Sequence, residues 1–120
     1  MAPTILVVDD HALLRNLINR VLTRGGYQVR EAADGLQALA QITVERPALV
    51  LSDLLLPGMR GDELVAHIMH GRDPIPCILM SGYPTLVLPH EVHFLAKPFE
   101  PAALLVLVAE VLEEQRCVSA

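Results

Sequence analysis

A chain of 120 residues with 52% hydrophobic content is long enough to fold as one domain around its own core and too apolar to stay disordered. Its formal charge is −5 and no run of basic residues exceeds two, which argues against a nucleic-acid partner, because neutralising phosphates takes clustered Lys and Arg. No apolar run nears the roughly 20 residues that span a bilayer, Met1-Ala2-Pro3-Thr4 lacks the features of a signal peptide, and Cys77 and Cys117 show no metal-ligand spacing, so we expect a cytoplasmic domain with free thiols and no membrane contact.

Ile5-Leu6-Val7-Val8 is an apolar run of the kind found in strands covered on both faces, and it ends in Asp9-Asp10. Over 11–24 the apolar positions Leu13, Leu14, Leu17, Ile18, Val21 and Leu22 repeat as in an amphipathic helix, which Gly25-Gly26 stops. A second strand is expected over 27–32. Asp34 is placed to cap a helix over 35–44, and Pro47 separates that helix from Ala48-Leu49-Val50-Leu51-Ser52-Asp53, an apolar strand ending in a carboxylate. Pro57-Gly58 then signals a turn. Asp62 reads as the cap of a third helix with Leu64, Val65 and Ile68 on its inner face. A fourth strand, Cys77-Ile78-Leu79-Met80, stops at Ser81-Gly82, and a fifth, Val92-His93-Phe94-Leu95-Ala96, stops at Lys97-Pro98. The last helix is expected from Pro101, a good first-turn residue, to Gln115. Strands alternating with helices at this spacing predict βαβ units and a parallel sheet.

The connection between the fourth and fifth strands is anomalous. It should hold a crossover helix, yet Pro84 and Pro89 leave room for about one helical turn. We expect a shortened or missing helix there.

A parallel sheet presents all its carboxyl ends on one edge, where α/β folds bind their ligands. That edge would gather Asp9, Asp10, Asp53, Ser81 and Lys97. Each alone has an ordinary explanation, since Asp is a common turn residue. As a set they suit phosphoryl transfer to a carboxylate. Asp53 would attack phosphorus and become an acyl phosphate. The phosphoryl oxygens would be repelled by three carboxylates, so a divalent cation is needed, and carboxylate, carbonyl and water oxygens suit Mg²⁺. Lys97 supplies a second positive charge and Ser81 a hydrogen bond.

With these residues in place the sequence resembles the receiver domain of two-component response regulators. The likeness rests on Ile5-Leu6-Val7-Val8-Asp9-Asp10, on Asp53 with Pro57 and Gly61 behind it, on Leu79-Met80-Ser81-Gly82-Tyr83, and on Ala96-Lys97-Pro98-Phe99, and it covers nearly the whole chain. It implies a single receiver domain over 1–120 with a flavodoxin-like, doubly wound, five-stranded parallel sheet. It further implies that Asp53 is the phosphoacceptor, taking its phosphoryl group from a histidine kinase or a histidine phosphotransfer protein. Asp10 and Asp53 would be metal ligands, Asp9 a helper acting through water, and Leu55 a backbone-carbonyl ligand. Ser81 would be the switch hydroxyl, Lys97 the phosphate-binding lysine, Phe94 the switch aromatic, and Lys97-Pro98 a cis bond. Local wording divides between branches: Met80-Ser81-Gly82-Tyr83 looks like receivers of hybrid kinases, Asp9-Asp10-His11 like receivers of DNA-binding regulators. The chain is either a stand-alone receiver or a piece of a hybrid kinase.

Leu55 has no polar group to orient a water and Tyr83 would shield the phosphorus, so self-dephosphorylation should be slow. The eight apolar residues of Ala102-Ala103-Leu104-Leu105-Val106-Leu107-Val108-Ala109 leave the last helix without a polar face, marking it as a surface for a partner or a second copy, with Leu105 and Val108 as the positions to probe. His67 and His70 share a helix face at i, i+3 and read as surface residues. Two other functions fit the sequence less well. A phosphorylation-independent binding module would fit the altered crossover but not the intact acids. A dedicated aspartyl-phosphate phosphatase would need a second acid two residues after Asp53, where Leu55 stands. The reading is a signalling module rather than an enzyme.

Overall fold

The computed structural model describes residues 2–82 and 92–119. Strand β1 (Thr4–Val8) leads into helix α1 (Ala12–Arg24), followed by β2 (Gln28–Ala32), α2 (Gly35–Val44), β3 (Leu49–Asp53), α3 (Gly61–Met69), β4 (Cys77–Ser81), β5 (Val92–Ala96) and α4 (Pro101–Ser119). All the strand pairings are parallel, and the sheet order is β2-β1-β3-β4-β5. This is the flavodoxin-like doubly wound order.

The near-continuous apolar runs of β1, β3 and β4 follow from coverage on both faces. Alternate residues of each strand enter opposite layers. On one side Leu6, Val8, Val50, Cys77 and Leu79 pack against Ala38 of α2 and Leu64, Val65 and Ile68 of α3. On the other, Ile5, Val7, Leu49, Leu51, Ile78 and Met80 pack against Ile18 and Leu22 of α1 and Leu104, Val108 and Val111 of α4. Fully burying one such Leu, Ile or Val contributes about 1.5–3 kcal/mol. Cys77 is buried and burial pushes its thiol up to about 12, so it acts as a small apolar residue.

Several sequence expectations need correction. Helix α3 starts at Gly61 with Arg60 at the cap position, so Asp62 lies inside the first turn. There its carboxylate accepts from the Glu63 amide at 3.1 Å and favours the positive end of the helix. The buried stripe of α1 is narrower than its apolar pattern: Ile18 and Leu22 are buried, but Leu13 and Leu17 are 76% and 56% exposed. Helix α4 runs to Ser119 rather than Gln115. Its outer face carries Ala102, Ala103, Val106 and Ala109, while Val108 is completely buried and Leu105 partly so. Val108 is therefore no surface probe, and the exposed apolar band is built mostly of alanine. The connection over 83–91, with Tyr83, Pro84 and Pro89, lies outside the described residues.

Gly61 ties α3 to the end of β3. Its amide donates to the Leu54 carbonyl at 2.7 Å, and a Cβ built on it would lie 2.0 Å from the Asp53 carbonyl oxygen. No side chain fits without moving backbone. Around Gly82, by contrast, no atom of the described residues lies within 4 Å of a Cβ built on it. Gly61→Ala should therefore destabilise the domain by about 2 kcal/mol or more, while Gly82→Ala stays near neutral. Urea unfolding of the two variants beside wild type checks this, and equal midpoints for Gly61→Ala and wild type would contradict it.

Candidate functional site

Strand β3 is paired on both sides, with β1 as far as Val8–Ser52 and with β4 as far as Asp53–Met80. The register that sets Val8 opposite Ser52 sets the next residues, Asp9 and Asp53, side by side. Asp10 follows in the loop before α1. The carboxylates of Asp9, Asp10 and Asp53 can each place an oxygen within 4.8 Å of the others. From just beyond the end of β5, two strands away from β3, Lys97 Nζ donates to Asp53 Oδ1 at 3.0 Å and stands 3.8 Å from Asp9 Oδ2.

The three acids differ in environment. Asp10 is exposed, and the Asp53 side chain is 13% exposed. Asp9 is completely buried. Its Oδ1 accepts from the His11 amide at 2.8 Å, whereas Oδ2 is buried with no hydrogen-bond partner. The Lys97 ammonium faces that oxygen from beyond hydrogen-bonding distance, as a charge only. Burial pushes the Asp9 carboxyl above its ordinary value; the His11 amide pulls it down, the Asp53 charge pushes it up, Lys97 pulls it down, and Asp10 adds a further upward push. A buried carboxylate oxygen without a hydrogen-bond partner, beside two more carboxylates, makes a cluster that could hold a cation. Its donors are hard oxygens, the set that suits Mg²⁺.

Ser81 closes β4 and is buried; its carbonyl accepts from the Lys97 amide at 2.9 Å, and the Lys97–Pro98 bond is cis. Phe94 is opposite Leu79 in the register, which puts it on the same sheet face as Ser81, and it is half-buried. The Leu55 side chain is 50% exposed beyond the end of β3. The edge therefore brings Asp9, Asp10, Asp53 and Lys97 together, with Ser81 on the adjoining strand end.

Two residues were not anticipated. His11 caps α1, its Nδ1 accepting from the Leu14 amide at 3.3 Å, and its own amide holds Asp9. Arg15 reaches back from α1 to donate to the Asp9 carbonyl at 2.7 Å. Histidine is an uncommon cap, and an arginine bonding to a main-chain carbonyl leaves no pattern in sequence, so neither carried a signal.

A family model described as the response regulator receiver domain matches residues 5–109. The chain belongs to that family. It is 42% identical over 107 residues to sporulation initiation phosphotransferase F of Bacillus subtilis, with 83% of this chain and 86% of that protein covered. The chemotaxis response regulator CheY4 of Vibrio cholerae superposes with a TM-score of 0.84 at 28% identity, over 92% of this chain and 99% of that one. The receiver domain of a signal transduction histidine kinase from Syntrophus aciditrophicus does so with a TM-score of 0.83 at 27% identity, over 94% and 92%. Other relatives are longer: the DNA-binding response regulator MtrA of Mycobacterium leprae is 35% identical, and the match covers 90% of this chain but 50% of that protein. The receiver fold and its membership in two-component signalling are thus established by both sequence and structure. Among the described residues no helix is long and apolar enough to cross a membrane.

The burial of Asp9 sets a pH dependence. A carboxyl whose folded value is raised contributes its full stability below its unfolded value of 3.8 and loses it as pH rises through the folded value. Asp9→Asn, neutral at every pH and still able to accept from His11, should raise the melting temperature in chelator at pH 7, and the gain should shrink to nothing towards pH 3. Thermal melts of both proteins across that range check the sign, and a gain independent of pH would contradict it.

Proposed function

We propose that Asp53 accepts a phosphoryl group from the phosphohistidine of a histidine kinase or histidine phosphotransfer protein, with Mg²⁺ bound beside it, and that the domain then switches or relays the signal. The observation that carries this reading is the joint placement of Asp53 against Lys97 at 3.0 Å and within the cluster formed with Asp9 and Asp10.

A carboxylate oxygen of Asp53 attacks phosphorus. The O–P bond forms as the donor's N–P bond breaks, and the bonding pair stays on the imidazole nitrogen. Lys97 already neutralises Asp53 and needs little movement to reach a phosphoryl oxygen. Ser81, at the next strand end, offers its hydroxyl to the same group, and Phe94 shares its sheet face, so a movement of Ser81 is felt there. Asp9, Asp10, Asp53 and the Leu55 carbonyl would hold the cation. Bound there, Mg²⁺ supplies the charge neutralisation that lets an anionic phosphoryl group approach three carboxylates. The domain is in this reading a partner's substrate and a switch, rather than a dedicated enzyme.

The surroundings favour a protein as donor. Leu13 and Leu17 on α1 and Leu55 after β3 leave large apolar side chains exposed near the same edge, which gives a partner surface to bury. Leu55 has no group to orient a water, consistent with a long-lived acyl phosphate. Self-association through α4 has less support, since its exposed band is mostly alanine with Val106.

Beryllofluoride mimics an acyl phosphate and gives a direct test. Titrated with Mg²⁺, it should produce saturable amide NMR shifts at Asp53, Ser81 and Lys97 that are lost without Mg²⁺ and lost in Asp53→Asn. An unresponsive wild type would refute the reading.

A further inference from the structure

Arg15 is the one charged side chain of α1 that turns inward to the loop holding the acids, and nothing in the phosphoryl chemistry requires it. Its guanidinium bridges two elements. Nε donates to Glu31 Oε1 at 2.7 Å, and Nη1 donates to the main-chain carbonyl of Asp9 at 2.7 Å. Glu31, on β2, is itself fixed. Its Oε2 accepts from Asn19 Nδ2 at 2.7 Å, and its main-chain carbonyl accepts from Gln41 Nε2 at 2.6 Å. The Arg15 and Glu31 side chains are 19% and 28% exposed, so the fork is largely shielded from solvent.

The Asp9 carbonyl belongs to the peptide plane that joins Asp9 to Asp10. Asp9 has other restraints: its amide donates to the Ala32 carbonyl at 3.1 Å, its Oδ1 is held by His11, and its side chain is buried. Asp10 is exposed, and the direction of its carboxylate depends on the plane from which it hangs. Planar, forked donors suit this task, because they fix orientation as well as distance.

We infer that Arg15 is a positioning residue for the cation site: anchored on Glu31, it locks the Asp9–Asp10 peptide so that the Asp10 carboxylate stays aimed at Asp9 and Asp53. The inference rests on the cation reading given above. It also makes a prediction opposite in sign to simple electrostatics. Removing a positive charge beside three carboxylates should strengthen Mg²⁺ binding if charge alone matters. Freeing the peptide plane should weaken it, and partners that orient metal ligands are worth about 10–100-fold in affinity.

The experiment is a Mg²⁺ titration, by calorimetry at constant ionic strength, of wild type, Arg15→Met and Arg15→Lys, each first shown by circular dichroism to be folded well above the assay temperature. Arg15→Met should bind Mg²⁺ about tenfold more weakly. Arg15→Lys keeps the charge but cannot fork between Glu31 and the Asp9 carbonyl, so it should show an intermediate loss; it also decides the matter should Arg15→Met fail to fold. A folded variant that binds Mg²⁺ as tightly as wild type, or more tightly, overturns the inference. A wild type that binds no Mg²⁺ overturns the cation reading itself, and the inference with it.

Discussion

Three carboxylates held within a few ångströms repel one another, and much of the surrounding structure exists to contain that repulsion. Parallel pairing forces Asp9 and Asp53 into adjacent strand ends. Lys97 meets Asp53 from a third strand, the His11 amide meets one oxygen of Asp9, and the other oxygen is left buried without a hydrogen bond. The arrangement is not at its electrostatic minimum as a bare protein. Added positive charge would complete it, and that unmet demand is what supports the proposal of a cation and a phosphoryl group at this edge.

The same edge shows how the two layers of the fold divide the work. Asp53 follows Leu49 and Leu51 along β3, whose side chains enter the α1/α4 layer, whereas Ser81 and Phe94 share the face of Cys77, Leu79 and Val92, which enter the α2/α3 layer. In the proposed mechanism, chemistry at Asp53 would reach the opposite layer through Ser81. Gly61 adds a second link to that layer, because α3 begins in direct backbone contact with the strand end.

Most of the fold was legible in the residues. Ile5–Val8, Leu49–Leu51 and Cys77–Met80 had to be doubly covered strands, and polar residues just past their ends had to converge. What could not be read were details decided by tertiary context. Six apolar positions in α1 predict a broad buried stripe, yet only Leu14, Ile18, Val21 and Leu22 pack on the core, while Leu13 and Leu17 are left largely exposed. Val108 and Val106 look equivalent in an all-apolar run, and only the docking angle of α4 buries one and exposes the other. Asp62 has the chemistry of a cap, but the closeness required of Gly61 starts the helix two residues earlier. Arg15 was invisible for another reason: it binds a main-chain carbonyl, and main-chain acceptors are the same whatever the sequence.

Strand β3 lies in the middle of the sheet with a hydrogen-bonded neighbour on each side, while among the described residues β5 is bonded along one side only. Opening β3 means breaking two ladders, so its amides should be among the last to exchange with solvent, whereas β5 can give way by losing one. The residue proposed to react is thus carried on the central one of three strands bonded along both sides, and Phe94, with Lys97 just beyond it, on a border strand that can shift without disturbing the centre. A domain laid out in this way can change shape at its margin while its reactive carboxylate keeps its place.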